Sequence, residues 1–474
     1  MARNSIGRNI FHLFYSTALA SALNAGALIV LAGYLQAEHY GQFSVALACA
    51  MILGYFTDSG LSEMALREGS KKNADVPGVL ASYIKVRLLL LAASFLVGFV
   101  IIWLVYGGNS SLMMTAMVLC IPMVTGLALQ SIAAAYFQMT EQMQYIGRVR
   151  MASSFVLVSL LSGGMLLKLG PVAITLLYGC SYLAAGMFGL WLVMKNVRIP
   201  MHAPFHKTLL HGFGYFTLAG LLFIILPHIG PLVLERTMTL ADVAFFAVAY
   251  RIPQALQQIP FIVAGAYRPV MFRLYHEKND TDHVRTNISL VKWMAVFGMV
   301  LTIPFFYLSD EAVSVLFGAE WSASAELLQI LSIMLTVQAV NIALADGLTT
   351  RGRQTYRTLV QGMSVAIGVI LYIVCSKLYG LQGAAYAGLA IEIIALAGYW
   401  LFLPSKMEIA KRAVLPYLAF LTGSTAAVHA ILGSFPFAAA AIHLSLLGCF
   451  VMLDKEIYGQ IIVKVRGKEA GHGA

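Results

Sequence analysis

Charge is what this 474-residue chain has least of. Only 11 % of its residues are Asp, Glu, Lys or Arg, while 60 % are hydrophobic. A soluble domain carries about 25 % charged residues, so a water-soluble protein is excluded and an integral membrane protein follows. Cysteine is scarce as well: Cys49, Cys120, Cys180, Cys375 and Cys449 stand singly in apolar runs. None belongs to a C-x-x-C pair, which excludes a disulfide framework and a zinc signature and leaves five bystander thiols. No Walker A pattern occurs, so nothing in the chain cradles a nucleotide, and no other cofactor or metal is implied. Long polar stretches are missing too. The loops on one side run to about 5 to 13 residues, too short to hold a catalytic domain.

What the chain has instead is apolar runs long enough to span a bilayer, fourteen of them. Their approximate cores are 10–35, 41–62, 80–105, 112–137, 149–167, 172–194 and 208–234, then 241–267, 288–308, 323–346, 358–376, 382–403, 413–432 and 436–453. The first follows Arg3 and Arg8, is too long for the core of a cleaved signal and reads as a retained spanning helix. Charge alternates between the loops. Of the 31 Lys and Arg residues, 27 fall at the termini and in alternate loops; Lys168, Arg236 and Lys377 fall on the other side and Arg251 within a span. The positive-inside rule then places both termini and the basic loops in the cytoplasm. The opposite loop from Ser309 to Trp321 carries Asp310, Glu311 and Glu320 and no basic residue. The net charge of +10 is therefore a topology signal, with a weak pull on anionic lipid second, and no nucleic-acid partner follows from it.

The chain also echoes itself. Glu38-His-Tyr-Gly-Gln-Phe-Ser-Val-Ala-Leu-Ala lies over Leu240-Ala-Asp-Val-Ala-Phe-Phe-Ala-Val-Ala-Tyr, and Lys168-Leu-Gly-Pro-Val-Ala over Lys377-Leu-Tyr-Gly-Leu-Gln-Gly-Ala-Ala. Both pairs fall at equivalent turns. The expected fold is an all-α integral membrane protein of about 14 transmembrane helices, with two six-helix lobes related by an internal repeat plus a C-terminal helix pair. The lobes are 1–200 and 201–405, and residues 406–474 hold the last two helices and a tail. Parallel repeats of this kind put a transport pathway between the lobes.

One charge stands out. Ala247 to Pro260, AVAYRIPQALQQIP, sets Arg251 inside an apolar segment, and Arg251, Gln254 and Gln258 at i, i+3 and i+7 share one helix face. An arginine at mid-depth costs roughly 2.5–3.5 kcal/mol on the insertion scale. It is kept either because it faces an aqueous cavity and meets an anion, or as a structural arginine that snorkels or pairs with a carboxylate.

Several stretches resemble the polysaccharide exporters and lipid-linked oligosaccharide flippases, the Wzx-like O-antigen group of the multidrug/oligosaccharidyl-lipid/polysaccharide (MOP) exporter superfamily. They are Asp58-Ser-Gly-Leu with Leu66-Arg-Glu-Gly-Ser-Lys-Lys, Phe137-Gln-Met-Thr-Glu-Gln-Met-Gln-Tyr, Pro269-Val-Met-Phe-Arg-Leu, and the clearest, Leu316-Phe-Gly-Ala-Glu-Trp-Ser-Ala-Ser-Ala-Glu-Leu-Leu-Gln-Ile-Leu. The second departs from the usual Gln-Gly-Leu pattern. The resemblance implies a flippase of the bacterial inner membrane whose cargo is an oligosaccharide on undecaprenyl diphosphate. It further implies membrane lipids, a polysaccharide polymerase and chain-length proteins as partners, and service to lipopolysaccharide O-antigen or exopolysaccharide synthesis. Arg251 would take the diphosphate, since a guanidinium suits phosphate oxygens, and the glutamines would take sugar hydroxyls. Asn24 in helix 1 and His228 in helix 7 occupy helices that the resemblance places along the cavity; each is also a reasonable packing partner.

The remaining polar residues divide between gating and structure. Asp58 with Glu63 and Arg67 reads either as a cytoplasmic gate or as a helix-end ion pair. Glu392, the acidic residue central to helix 12, either takes a proton or ion for coupling or faces the bundle interior. Gln338 and Asn341 read as interhelical hydrogen-bond partners. Pro227 and Pro231 are expected to break helix 7, with Gly212, Gly214 and Gly220 loosening it. Asp280-Thr-Asp282 has the D-x-D form of a metal–sugar-nucleotide site, but without an α/β domain around it the solvated-loop reading wins. The rival functions are a cation-coupled multidrug exporter of the same superfamily, which calls for acidic residues in its cavity, and a non-transporting scaffold for synthesis enzymes. An enzyme is not expected.

Overall fold

The computed structural model describes residues 6–71, 74–210 and 213–460, and no β-strand occurs among them. Expectations resting on Arg3, Lys72, Gly212 and the tail beyond Gln460 lie outside those residues. A bilayer offers the backbone no water, so every N–H must find its partner within the segment, and uniformly apolar runs become helices.

The helices in chain order are α1 (Ile6–Phe56), α2 (Leu61–Gly69), α3 (Val76–Tyr106), α4 (Ser110–Met139), α5 (Met143–Leu166), α6 (Pro171–Asn196), α7 (Phe213–Ile225) and α8 (Ile229–Leu234). There follow α9 (Leu240–Leu256), α10 (Gln258–His276), α11 (Asp280–Tyr307), α12 (Ser309–Phe317), α13 (Ala323–Thr350), α14 (Gln354–Phe402), α15 (Lys406–Ile409), α16 (Leu415–Leu432) and α17 (Pro436–Leu453).

Two of these are far too long for one crossing. At 51 and 49 residues, α1 and α14 would each reach over 70 Å at about 1.5 Å per residue, against a hydrocarbon core of about 30 Å. Each is broken at one residue with a φ of 59°, Gln36 in α1 and Gly380 in α14, and so supplies two spans. The α7–α8 pair, joined through the tight turn Leu226–His228, makes another span, and α9–α10, joined at Gln257, one more. α15 and α16 run on through a π-helical turn at Ala410–Val414. Among the described residues ten helices are long and apolar enough to cross a membrane; dividing α1 and α14 at their breaks and adding the α7–α8 and α9–α10 pairs is consistent with the fourteen apolar runs. The break at Pro227 is the expected one: a proline has no N–H to give the preceding turn.

Polar residues mark the starts. Asp75, Asn109 and Asn279 each accept a backbone N–H at 3.1 Å from the first turn of α3, α4 and α11. Buried close packing does the rest, because lipid leaves no hydrophobic gain in joining helices and association falls to fit. Two compact units result, Met1–Ala247 and Val248–Ala474.

In the first unit α4 and α6 pack along small residues. A methyl group on Gly186 would stand 2.7 Å from the Gly126 carbonyl oxygen, so both helices need glycine to approach. Leu61, Leu80, Tyr83, Phe137 and Val193 fill the core where α2, α3, α4 and α6 meet. The α7 helix is tied to α1, with Tyr55 Oη donating to the Thr217 carbonyl at 3.0 Å and Thr217 Oγ1 to the Ser59 carbonyl at 2.7 Å.

In the second unit α11, α13 and α14 form the core, and α16 and α17 pack against α11. The fully buried His443 of α17 bonds Ser424 Oγ at 2.7 Å and Tyr307 Oη at 3.2 Å. Just past α17, Asp454 accepts from Tyr417 Oη and Lys292 Nζ, each at 2.8 Å, and Lys292 also meets Glu456 at 2.9 Å. Partial burial alone would raise the Asp454 pKa; the bonds from Lys292 and Tyr417 outweigh it and hold the carboxyl below its usual range.

Candidate functional site

The Arg251 segment opens as an amphipathic turn of α9. Arg251 Nη1 donates to Gln254 Oε1 at 3.0 Å, so the i, i+3 pair is a bonded pair and both side chains are half-buried. Arg251 Nε is buried without a hydrogen-bond partner, and among the described residues no carboxylate lies within ion-pair distance of the guanidinium. Gln258 stands beyond the break at Gln257 and is exposed. Pro260 accounts for the break, since it leaves the Leu256 carbonyl without its donor where α9 gives way to α10, and Pro253 does the same to Ala249 one turn earlier.

The neighbouring residue leads to a second polar group. Tyr250 lies beside the Gln338 side chain of α13. Gln338 Nε2 donates to Glu392 Oε1 at 2.9 Å, and Asn341 Nδ2 donates both to Glu392 Oε2 and to the Glu392 carbonyl, each at 2.9 Å. Gln338 and Asn341 are thus the interhelical partners expected of them, and Glu392 is what they hold. The carboxylate is 8 % exposed and has no cationic partner among the described residues. Gln338 Oε1 and Asn341 Oδ1 are buried and accept no bond. A carboxylate held by two amide N–H groups presents hard oxygen lone pairs; it suits a proton, or an alkali cation, better than any soft metal. No grouping of three or more His, Cys, Asp or Glu suited to a metal occurs among the described residues.

The first unit holds the other predicted residues. Asn24 is half-buried in α1, and His228 is buried in the turn between α7 and α8. His228 Nδ1 lies 2.8 Å from the Ile224 carbonyl, which only accepts, so Nδ1 carries the hydrogen. Asp58 is engaged within its own unit. Its Oδ1 accepts from Ser62 Oγ at 2.6 Å, from Tyr83 Oη at 3.3 Å and from the Arg87 guanidinium, whose Nη2 donates to Ser131 Oγ at 2.6 Å. Glu63 and Arg67 lie exposed on α2. The structure therefore pairs Asp58 with Arg87 of α3, a residue whose charge reads in the sequence as part of a loop and whose side chain is 1 % exposed.

Sequence reasoning missed Arg87 and Tyr250. A tyrosine in an apolar run carries no mark of its role, though its place beside Arg251 was a usable signal. Arg87 was masked because α3 begins at Val76, several residues before its apolar core.

The family described as polysaccharide biosynthesis protein matches residues 6–275. No curated protein matches in sequence. Among solved structures, the lipid II flippase MurJ in an inward closed conformation is similar with a TM-score of 0.65 and 12 % identity, over 93 % of this chain and 99 % of that one. An inward-facing multidrug resistance MATE family transporter of the MOP superfamily gives 0.70 and 14 %, over 83 % and 95 %. A MOP superfamily transporter from Pyrococcus furiosus, described as having a binding pocket of reversed polarity, gives 0.62 and 15 %, over 86 % and 97 %.

Proposed function

Because the chain belongs to the polysaccharide biosynthesis protein family and has the fold of a MOP superfamily membrane transporter, we propose that its cargo is a lipid-linked oligosaccharide, carried on undecaprenyl diphosphate from the cytoplasmic to the outer face. What supports this reading is the state of Arg251. A guanidinium within a spanning helix, bonded among the described residues to a neutral amide alone and with Nε idle, lacks there the counter-charge that buried cations take. A diphosphate supplies that charge and matches the planar fork. Gln254 and Gln258 offer amides to the sugar, and Asn24 and His228 are the first unit's own candidates for cargo contact. The acyl chains stay in lipid, so only the head group crosses. Alternating access between lobes 1–200 and 201–405 follows from the repeat, with residues 406–474 outside it and both termini cytoplasmic. Asp58, Glu63 and Arg67 sit at the cytoplasmic gate of this scheme, and a polymerase and chain-length proteins act on the delivered unit.

The test is a substitution series at Arg251, read as head-group translocation in vesicles together with protein level. Arg251→Lys is expected to keep part of the rate, since charge survives without the fork. Arg251→Ala should lose at least about tenfold, roughly 1.4 kcal/mol, and Arg251→Glu more, at unchanged protein level. Loss of the protein from the membrane would mark a structural arginine; normal export by Arg251→Ala would leave the scaffold reading standing.

Glu392 favours a second reading, a cation-coupled multidrug exporter, because a buried carboxylate suits a cationic drug as well as a coupling ion. Competition separates them: a diphosphate lipid should inhibit the flippase, and a lipophilic cation should inhibit the exporter.

A further inference from the structure

The second unit holds another guanidinium arrangement apart from Arg251. Arg268 of α10 donates Nε to Asp346 Oδ2 of α13 at 2.7 Å. Arg357 of α14 stands with Nη1 3.8 Å from Asp346 Oδ1 and donates to Thr349 Oγ1 at 3.1 Å. The Asp346 side chain is 1 % exposed, and that of Arg268 is 39 %. Two guanidiniums share one carboxylate, so the group keeps a positive charge that the fold does not neutralise.

The geometry decides what that charge can do. Asp346 takes Nε and thereby fixes the plane of the Arg268 guanidinium, while its two Nη groups carry no hydrogen bond to any described residue. Such an edge is a two-pronged donor ready for oxyanion oxygens. Its neighbour on the same helix face is apolar: Phe272, one turn on along α10, is 40 % exposed. Arg268 lies eight residues, about 12 Å, from the end of α10. Asp346 and Arg357 lie within about a turn of the adjoining ends of α13 and α14. All three therefore sit near the face that receives the basic loops, at the depth where hydrocarbon meets head group. A tie between helices needs one arginine per carboxylate and has no use for an outward edge beside an exposed apolar residue.

We propose that Arg268, oriented by Asp346 and backed by Arg357, binds a lipid-borne phosphate at the basic-loop face of the second unit. Two lipids present that chemistry, the diphosphate cargo carrier and an anionic phospholipid. Identification of the cargo as the ligand rests on the proposed transport function; binding itself is read without transport.

The full chain, in uncharged sugar detergent and in an Arg251→Ala background that removes the other guanidinium, is titrated with undecaprenyl diphosphate, dioleoyl phosphatidylglycerol and dioleoylglycerol. Retained lipid is measured by native mass spectrometry. Arg268→Gln is expected to weaken phosphate-lipid binding about tenfold or more and leave dioleoylglycerol unchanged, and Asp346→Asn to weaken it less. Loss confined to undecaprenyl diphosphate assigns the site to the cargo; loss that includes phosphatidylglycerol assigns it to phospholipid. Equal binding by Arg268→Gln and its parent, or an equal loss for dioleoylglycerol, overturns the proposal. Should Arg268→Gln melt too low to assay, Arg268→Lys keeps the charge and the tie to Asp346 but not the fork; a loss of about threefold or more supports the site, and unchanged affinity overturns it. A negative result here with a positive Arg251 series would leave the transport reading intact.

Discussion

Glu392 holds a full charge, or one proton, where it is only 8 % exposed. An unpaired carboxylate in so apolar a place costs several kcal/mol unless hydrogen bonds offset it, and Gln338 and Asn341 supply two donors without supplying a positive charge. The group is thus held ready to change charge state at small structural cost. Glu392→Gln keeps the shape and loses that ability. The melting temperature is expected to stay within a few degrees of the parent's, while transport in vesicles loses its response to an imposed proton or sodium gradient. An unaltered gradient response in Glu392→Gln would remove this residue from coupling. The polar members of the group were legible in the sequence because amides inside apolar helices have few other reasons to be there. Tyr250 and Arg87 were not: one is at home in lipid-facing runs, and the other hid in a helix that starts before its hydrophobic part.

At the scale of elements, the number of spans could be read from apolar length alone, because a bilayer fixes how much chain one crossing takes. The nature of the joints could not. The polar breaks near residues 36 and 380 suggested ordinary loops, yet each is a single residue at a φ of 59°, a conformation that glycine adopts freely and other residues adopt under strain. The chain places a glycine at one joint and a glutamine at the other. Gly380→Ala is therefore expected to destabilise by about 1 kcal/mol or more, and Gln36→Gly to stabilise by about 1 kcal/mol, in reversible unfolding from mixed micelles. A Gln36→Gly variant less stable than the parent would show that the Gln36 side chain outweighs its backbone. Helix 7 behaved as its prolines required, with a tight turn at Leu226–His228.

Over the whole molecule, the alternation of basic loops predicts which ends of the spans share a side. In a cysteine-free background, single cysteines at the exposed positions Gly108, Asp310 and Gly433 should react with an impermeant maleimide added outside intact cells. Cysteines at Asn279 and Gln354 should react only after lysis. Reversal at two of these sites would sink the orientation. The two compact units part inside α9, at 247/248, whereas the sequence echo sets its own boundary near residue 200. The hydrogen bonds of Thr217 with Tyr55 of α1 and with the Ser59 carbonyl just beyond it carry α7 with the first unit, and a repeat is a statement about sequence symmetry, which packing leaves open.

The pairing of Asp58 with Arg87 bears on how the protein is made. Alone in a newly synthesised hairpin, Arg87 would burden α3 by roughly 2.5–3.5 kcal/mol if it reached mid-membrane unescorted. Its carboxylate lies only 29 residues upstream, already made when the arginine is added. At about 5–20 residues per second, those 29 residues take roughly 1.5–6 s. Ser131, which receives the other end of the guanidinium, follows 44 residues later. The partner that offsets the Arg87 charge is therefore in the chain before the arginine itself, well before the ribosome has reached the second unit.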